Sequence, residues 1–75
     1  MKNSFKNEEG MKVKPGDLYL YKSERANICN TWLVLKVDEY TGRVIMICIG
    51  SNVGIKGDRG HISSHVLKTG YEKLL

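Results

Sequence analysis

The chain has little of what enzymes and secreted domains depend on. It carries two cysteines, one proline, one tryptophan and one phenylalanine in 75 residues. Two cysteines cannot supply the disulfide framework that staples a small secreted domain. The longest uninterrupted apolar run, Val44–Ile49, is six residues, whereas a membrane-spanning helix needs about 20. Met1–Gly10 holds no apolar stretch of the kind a secretory signal requires. These absences predict a cytoplasmic protein with reduced thiols and no membrane contact. The length allows one domain at most and excludes a dinucleotide-binding α/β sheet or a (β/α)8 barrel.

What is present is a modest positive charge. Twelve Lys and Arg against eight Asp and Glu leave +4. Lys2, Lys6, Glu8 and Glu9 cancel, so the excess lies in residues 11–75. A basic domain favours anionic partners, although a charge of this size also serves solubility alone.

Residues 1–10 read as a flexible tail with Phe5 as its one large apolar residue. The folded part spans 11–75. Lys14-Pro15-Gly16-Asp17 is a type II turn signal, because Pro presets φ and Gly accepts positive φ. Asp17–Lys22 predicts a first strand, with Leu18 and Leu20 on one face and Tyr19 and Tyr21 on the other. Ser23–Thr31 reads as a long polar connection. Trp32–Asp38 and Arg43–Ile49 predict a hairpin with Gly42 in the left-handed position, and Glu39 opposite Arg43. That register sets Leu33, Leu35, Val37, Ile45, Ile47 and Ile49 on one face, the expected core. It leaves Trp32, Val34, Lys36, Asp38, Val44, Met46 and Cys48 on the other. Gly50–Gly60 holds four glycines in eleven residues and reads as a loop. His61-Ile62-Ser63 reads as a short strand, Ser63 or Ser64 caps a helical turn through Lys68, ended by Gly70, and Tyr71–Leu75 predicts a last strand. The sum is a small all-β barrel of about five strands with one short helical turn.

The element order resembles a known family. Pro15-Gly16-Asp17-Leu18-Tyr19, then Trp32-Leu33-Val34-Leu35, then a Gly-turned hairpin, is similar to SH3-like barrels of the KOW and Tudor kind. The opening Lys14–Leu18 turn and the closing Tyr71-Glu72-Lys73-Leu74 strand resemble small bacteriophage-encoded barrels. The KOW pattern also has a glycine before the second strand, and Ser23–Thr31 has none. The resemblance implies a non-enzymatic binding module. In that family setting partners are often nucleic acid or transcription and translation proteins.

Four candidate chemistries are written in the residues. Tyr19 and Tyr21, interleaved with Lys22 and Arg25, suit a nucleic-acid surface in which aromatics stack bases and cations meet phosphates. The plain alternative is that the tyrosines pack. Lys56 and Arg59 sit among Gly54, Gly57 and Gly60, where glycine N–H groups could form an anion nest. The plain alternative is a connector between strands. Cys29, Cys48, His61 and His65 are zinc-type residues, but eighteen residues separate the cysteines, which is not a finger spacing; no metal and no cofactor is expected. Ser63 and Ser64 near His61 and His65 lack a nucleophile elbow, and helix capping accounts for them.

The apolar character of Trp32, Val34, Val44 and Met46 marks that second face as an expected interaction face. The Phe5-bearing tail, a second copy in a homodimer or a captured protein would cover it. The leading expectation is nucleic-acid binding. The alternative is a phage-type inhibitor or host-takeover protein that binds a host protein or a small nucleotide in the host cytoplasm.

Overall fold

The computed structural model describes residues 12–74. The expected tail, 1–10, lies outside the described residues. The chain is all-β with one short helix, as its sequence predicts. Strands β1 (Leu18–Ser23), β2 (Ile28–Asp38), β3 (Arg43–Ser51) and β4 (Arg59–Ser63) lead into helix α1 (Ser64–Gly70) and strand β5 (Glu72–Lys73). They form one antiparallel sheet in the order β4-β3-β2-β1-β5. The helix joins the two edge strands.

Local chemistry sets most of the boundaries. At the opening turn Gly16 has φ 94°. Asp17 N–H donates to Lys14 O at 3.1 Å, and the Asp17 carboxylate accepts from Lys14 N–H at 2.9 Å. The helix starts where Ser63 Oγ accepts from Val66 N–H at 3.2 Å, a serine cap. It runs to Gly70, two residues past the expected end, and Tyr71 caps it in an extended conformation.

The first connection is shorter than the sequence suggests. Residues 24–27 make a tight turn, with Asn27 at φ 54°, a position asparagine tolerates. Strand β2 already begins at Ile28. A distant side chain holds this stretch extended. Asn52 Oδ1 accepts from Cys29 N–H at 2.8 Å, and Asn52 Nδ2 donates to Asn27 O at 2.9 Å. The far end shows the opposite difference: the last strand is limited to Glu72–Lys73.

The β2–β3 hairpin corrects the expected register. Asp38, not Glu39, stands opposite Arg43. Gly42 does take the left-handed position, at φ 71°, and its N–H donates to Asp38 O at 2.8 Å. The ladder then shifts at two places, between Val34 and Lys36 and between Thr31 and Trp32.

The faces are inverted relative to expectation. Val34, Val44, Met46 and Cys48 are buried with Trp32, Tyr19, Val13 and Leu67. Tyr21, Val37, Ile55, Ile62 and Tyr71 pack against this core. The residues expected inside, Leu33, Ile45 and Ile47, are only half-buried, and Leu35 and Ile49 are each 40% exposed; Val37 alone of the six joins the core. Both faces of the sheet are apolar, so strand alternation does not choose between them. Long-range covering decides: α1 lays Leu67 and the opening segment lays Val13 on the Val44 side. The Trp32 ring packs over Gly60 of β4, where a Cβ would stand 3.4 Å from the indole, an ordinary contact.

Candidate binding surface

The residues expected to form a stacking surface do not share one. Tyr19 is 2% exposed and sits in the core beside its cross-strand neighbour Trp32. Burial pushes its phenol pKa up, and the Asp17 carboxylate adds to the rise. Tyr21 points to the same side, half-buried, with its ring 5.0 Å from that of Tyr71. Tyr71 is pushed up too, by burial first and by Tyr21 second. Tyr19 therefore offers no face to a base, while Lys22, Arg25, Lys56 and Arg59 are exposed. Lys22 ends up across the sheet from the tyrosines, because successive residues of a strand face opposite ways.

The glycine loop is less open than its composition suggests. Gly57 N–H donates to Cys48 O at 2.7 Å, and Asp58 N–H to Ile55 O at 3.0 Å. Val53 and Ile55 N–H groups turn to Ser51 Oγ at 3.0 and 3.5 Å. Donors that an anion nest would need are engaged within the loop and its ladder. Arg59 belongs to β4 rather than to the loop.

The expected interaction face is corrected outright. Trp32, Val34, Val44 and Met46 are buried in the chain's own core and cannot receive a partner. Asn30 Oδ1 and Trp32 Nε1, on the same inner face, have no hydrogen-bond partner among the described residues, and both are closed off from solvent. The metal-type residues are spread out: Cys48 is buried inside, and His61 is exposed on β4. Among the described residues no group of three His, Cys, Asp or Glu side chains could hold a metal.

The surface left available is the outer face of the sheet. Leu18 and Leu20 of β1, Leu33 of β2, and Ile45 and Ile47 of β3 occupy it by alternation, and Leu35 and Ile49 project at the two register shifts. Leu18 pairs with Leu33, and Leu33 pairs with Ile47. Around these aliphatics lie Lys22, Lys36, Arg43 and Arg59, all exposed. Among the described residues, the strand carboxylates on this face are Asp38 and Glu72. Asp38 Oδ1 already accepts from Tyr40 N–H at 3.0 Å and Thr41 N–H at 3.4 Å, which lowers its pKa. Lys36 and Arg43, cations that the sequence interleaves with Trp32 and Tyr40, lie on this face. The readable signal was two apolar strand faces in a chain too small to bury both.

An open groove of about 750 Å³ lies between the opening segment and the hairpin. Lys12, Lys14 and Lys36 line it together with Asp38 and Glu39, so its charge selects no ligand. No helix among the described residues is long and apolar enough to cross a membrane. Comparison with protein-family models, with characterised proteins and with solved structures gives no match to this chain.

Proposed function

We propose that this protein is a non-enzymatic binding module that docks a partner protein on the outer face of its sheet. One observation carries the reading. After one sheet face has formed the core, the other still presents Leu18, Leu20, Leu33, Leu35, Ile45, Ile47 and Ile49.

Magnitudes favour a protein over a nucleic acid. Finishing the burial of a half-buried aliphatic side chain contributes a part of the roughly 1.5–3 kcal/mol that full burial gives, and a phosphate backbone has no apolar surface with which to do so. The stacking that nucleic-acid binders gain from aromatics, about 1–3 kcal/mol per base, is closed to Tyr19. Tyr21 is half-buried against Tyr71 and Tyr40 is the exposed tyrosine, so stacking is limited, and Lys22, Arg25, Lys56 and Arg59 would provide mainly phosphate contacts, which weaken as salt rises. The resemblance to phage-encoded SH3-like barrels supports a host protein as the partner, bound in the host cytoplasm.

Titration against short single- and double-stranded DNA and RNA tests this. At about 150 mM salt the expected result is a Kd no tighter than roughly 10⁻⁴ M, the weak end of non-specific binding. Micromolar binding whose logarithm falls linearly with log salt would establish the nucleic-acid function instead.

A further inference from the structure

We infer that the partner presents an amphipathic helix with an apolar strip flanked by carboxylates, laid across the strands of the outer face. The inference rests on the docking face proposed above and names what fits it.

The shape comes from one row of side chains. Leu74 N–H donates to Leu18 O at 2.9 Å. Leu18 pairs with Leu33, Leu33 with Ile47, and Ile47 with Arg59. Three aliphatics thus stand side by side on neighbouring strands, Leu74 flanks them just past β5, and a guanidinium closes the row. Adjacent strands lie about 4.8 Å apart. Successive turns of a helix rise about 5.4 Å. A helix lying along the row therefore sets one turn over each strand, with its i, i+3, i+4 and i+7 side chains between the aliphatics. Leu20, Thr31 and Gly50 form the adjoining row. Thr31 and Gly50 are small, and Ile49 projects beside Gly50 at the register shift.

The charge comes from the rim. Lys36 and Arg43 lie on the hairpin side of the row, Lys22 on the other side, and Arg59 at its end. The ion pair found among the described residues is Lys73 with Asp17, which leaves these four cations outside any internal pair there. Among the described residues, Glu72 and the hydrogen-bonded Asp38 are the strand carboxylates on this face. A second copy of the chain would bring four cations against four cations, and like charges facing each other disfavour association. A helix with Glu or Asp on either side of its apolar strip meets them favourably.

The test uses the full chain and two synthetic amphipathic helices of about 18 residues, long enough to cross the sheet. Both carry Leu at i, i+3, i+4 and i+7. One is flanked by Glu and its twin by Lys. Fluorescence anisotropy at low and moderate salt should show the Glu-flanked helix bound about tenfold more tightly, with a gap that narrows as salt screens it. The variant Lys36→Glu with Arg59→Glu changes only exposed side chains and should reverse the preference. Equal binding of both helices overturns the inference and leaves the docking face intact. No binding of either helix by a monomeric chain overturns both. Self-association in sedimentation that Ile47→Asn abolishes would assign the face to a second copy instead.

Discussion

Leu35 and Ile49 are the extra residues of two opposed bulges, one in β2 and one in β3. Each is unpaired in the ladder and each is 40% exposed. An insertion on one strand shifts the register, and an insertion on its partner restores it. The ladder that enters at Asp38–Arg43 therefore leaves at Asn30–Ser51 in its original register. The hairpin stays long, and two aliphatics are pushed out of the pairing onto the surface.

The inverted faces predict an inverted mutational response. Met46→Ala should cost about 2–5 kcal/mol, the usual range for a large-to-small core change. Leu35→Ser should stay within roughly 1 kcal/mol, because the side chain is already partly in water. Urea midpoints of the two variants check this. A costly Leu35→Ser beside a silent Met46→Ala would restore the opposite assignment of core and surface.

Asn52 joins two turns that are distant in sequence. Asn52→Ala removes both hydrogen bonds to the start of β2, and a loss of about 1–2 kcal/mol is expected for two exposed bonds. Faster amide exchange at Cys29, with exchange at Val34 unchanged, would show that the loss is local.

Gly42 should resist substitution through its backbone. A Cβ there would lie 3.5 Å from Ser64 Oγ, an ordinary contact, so crowding is not the obstacle. The positive φ is. Gly42→Val should lose about 1–2 kcal/mol or more, and Gly42→Asn clearly less. Thermal midpoints of the pair separate conformational strain from steric clash.

Asp38 gives the acid limb of the stability curve a defined contributor. The N–H groups of Tyr40 and Thr41 hold its carboxyl below the usual carboxylate range. A folded pKa below the unfolded value means that the unfolded chain takes up the proton first. The contribution is complete above the unfolded value, about 3.9. It disappears as pH falls through the lowered folded value. Urea midpoints should fall more steeply below about pH 4 in the wild type than in Asp38→Ala. Parallel curves would remove Asp38 from the account.

The parts of the fold legible in the sequence are those decided within a few residues. Pro15-Gly16 makes its turn, Gly42 takes its left-handed position, and Ser63 caps its helix because each needs only near neighbours. Cys29 and Asn30 do not look like strand; they pair with Lys22 and Tyr21 across a tight turn, and Asn52, distant in sequence, binds at Cys29. The choice of inner face was hidden for a related reason. Val34 and Leu33 are equally apolar, and only the arrival of Leu67 and Val13 from elsewhere in the chain distinguishes them. The site follows the face. Tyr19, open in the sequence between stacking and packing, packs in the core, while Ile47, expected in the core, lies on the available surface.

Helix α1 sits between the two strands that end the sheet and contributes one buried residue, Leu67, to the core. That makes it a seam. Opening a segment of seven residues uncovers Val44 and its neighbours and frees both sheet margins at once, whereas the long β2–β3 ladder opens only with the whole molecule. Proteolysis under native conditions should therefore begin at the seam, near Thr69 and Gly70, and a first cut there would release β5 before any other strand lets go.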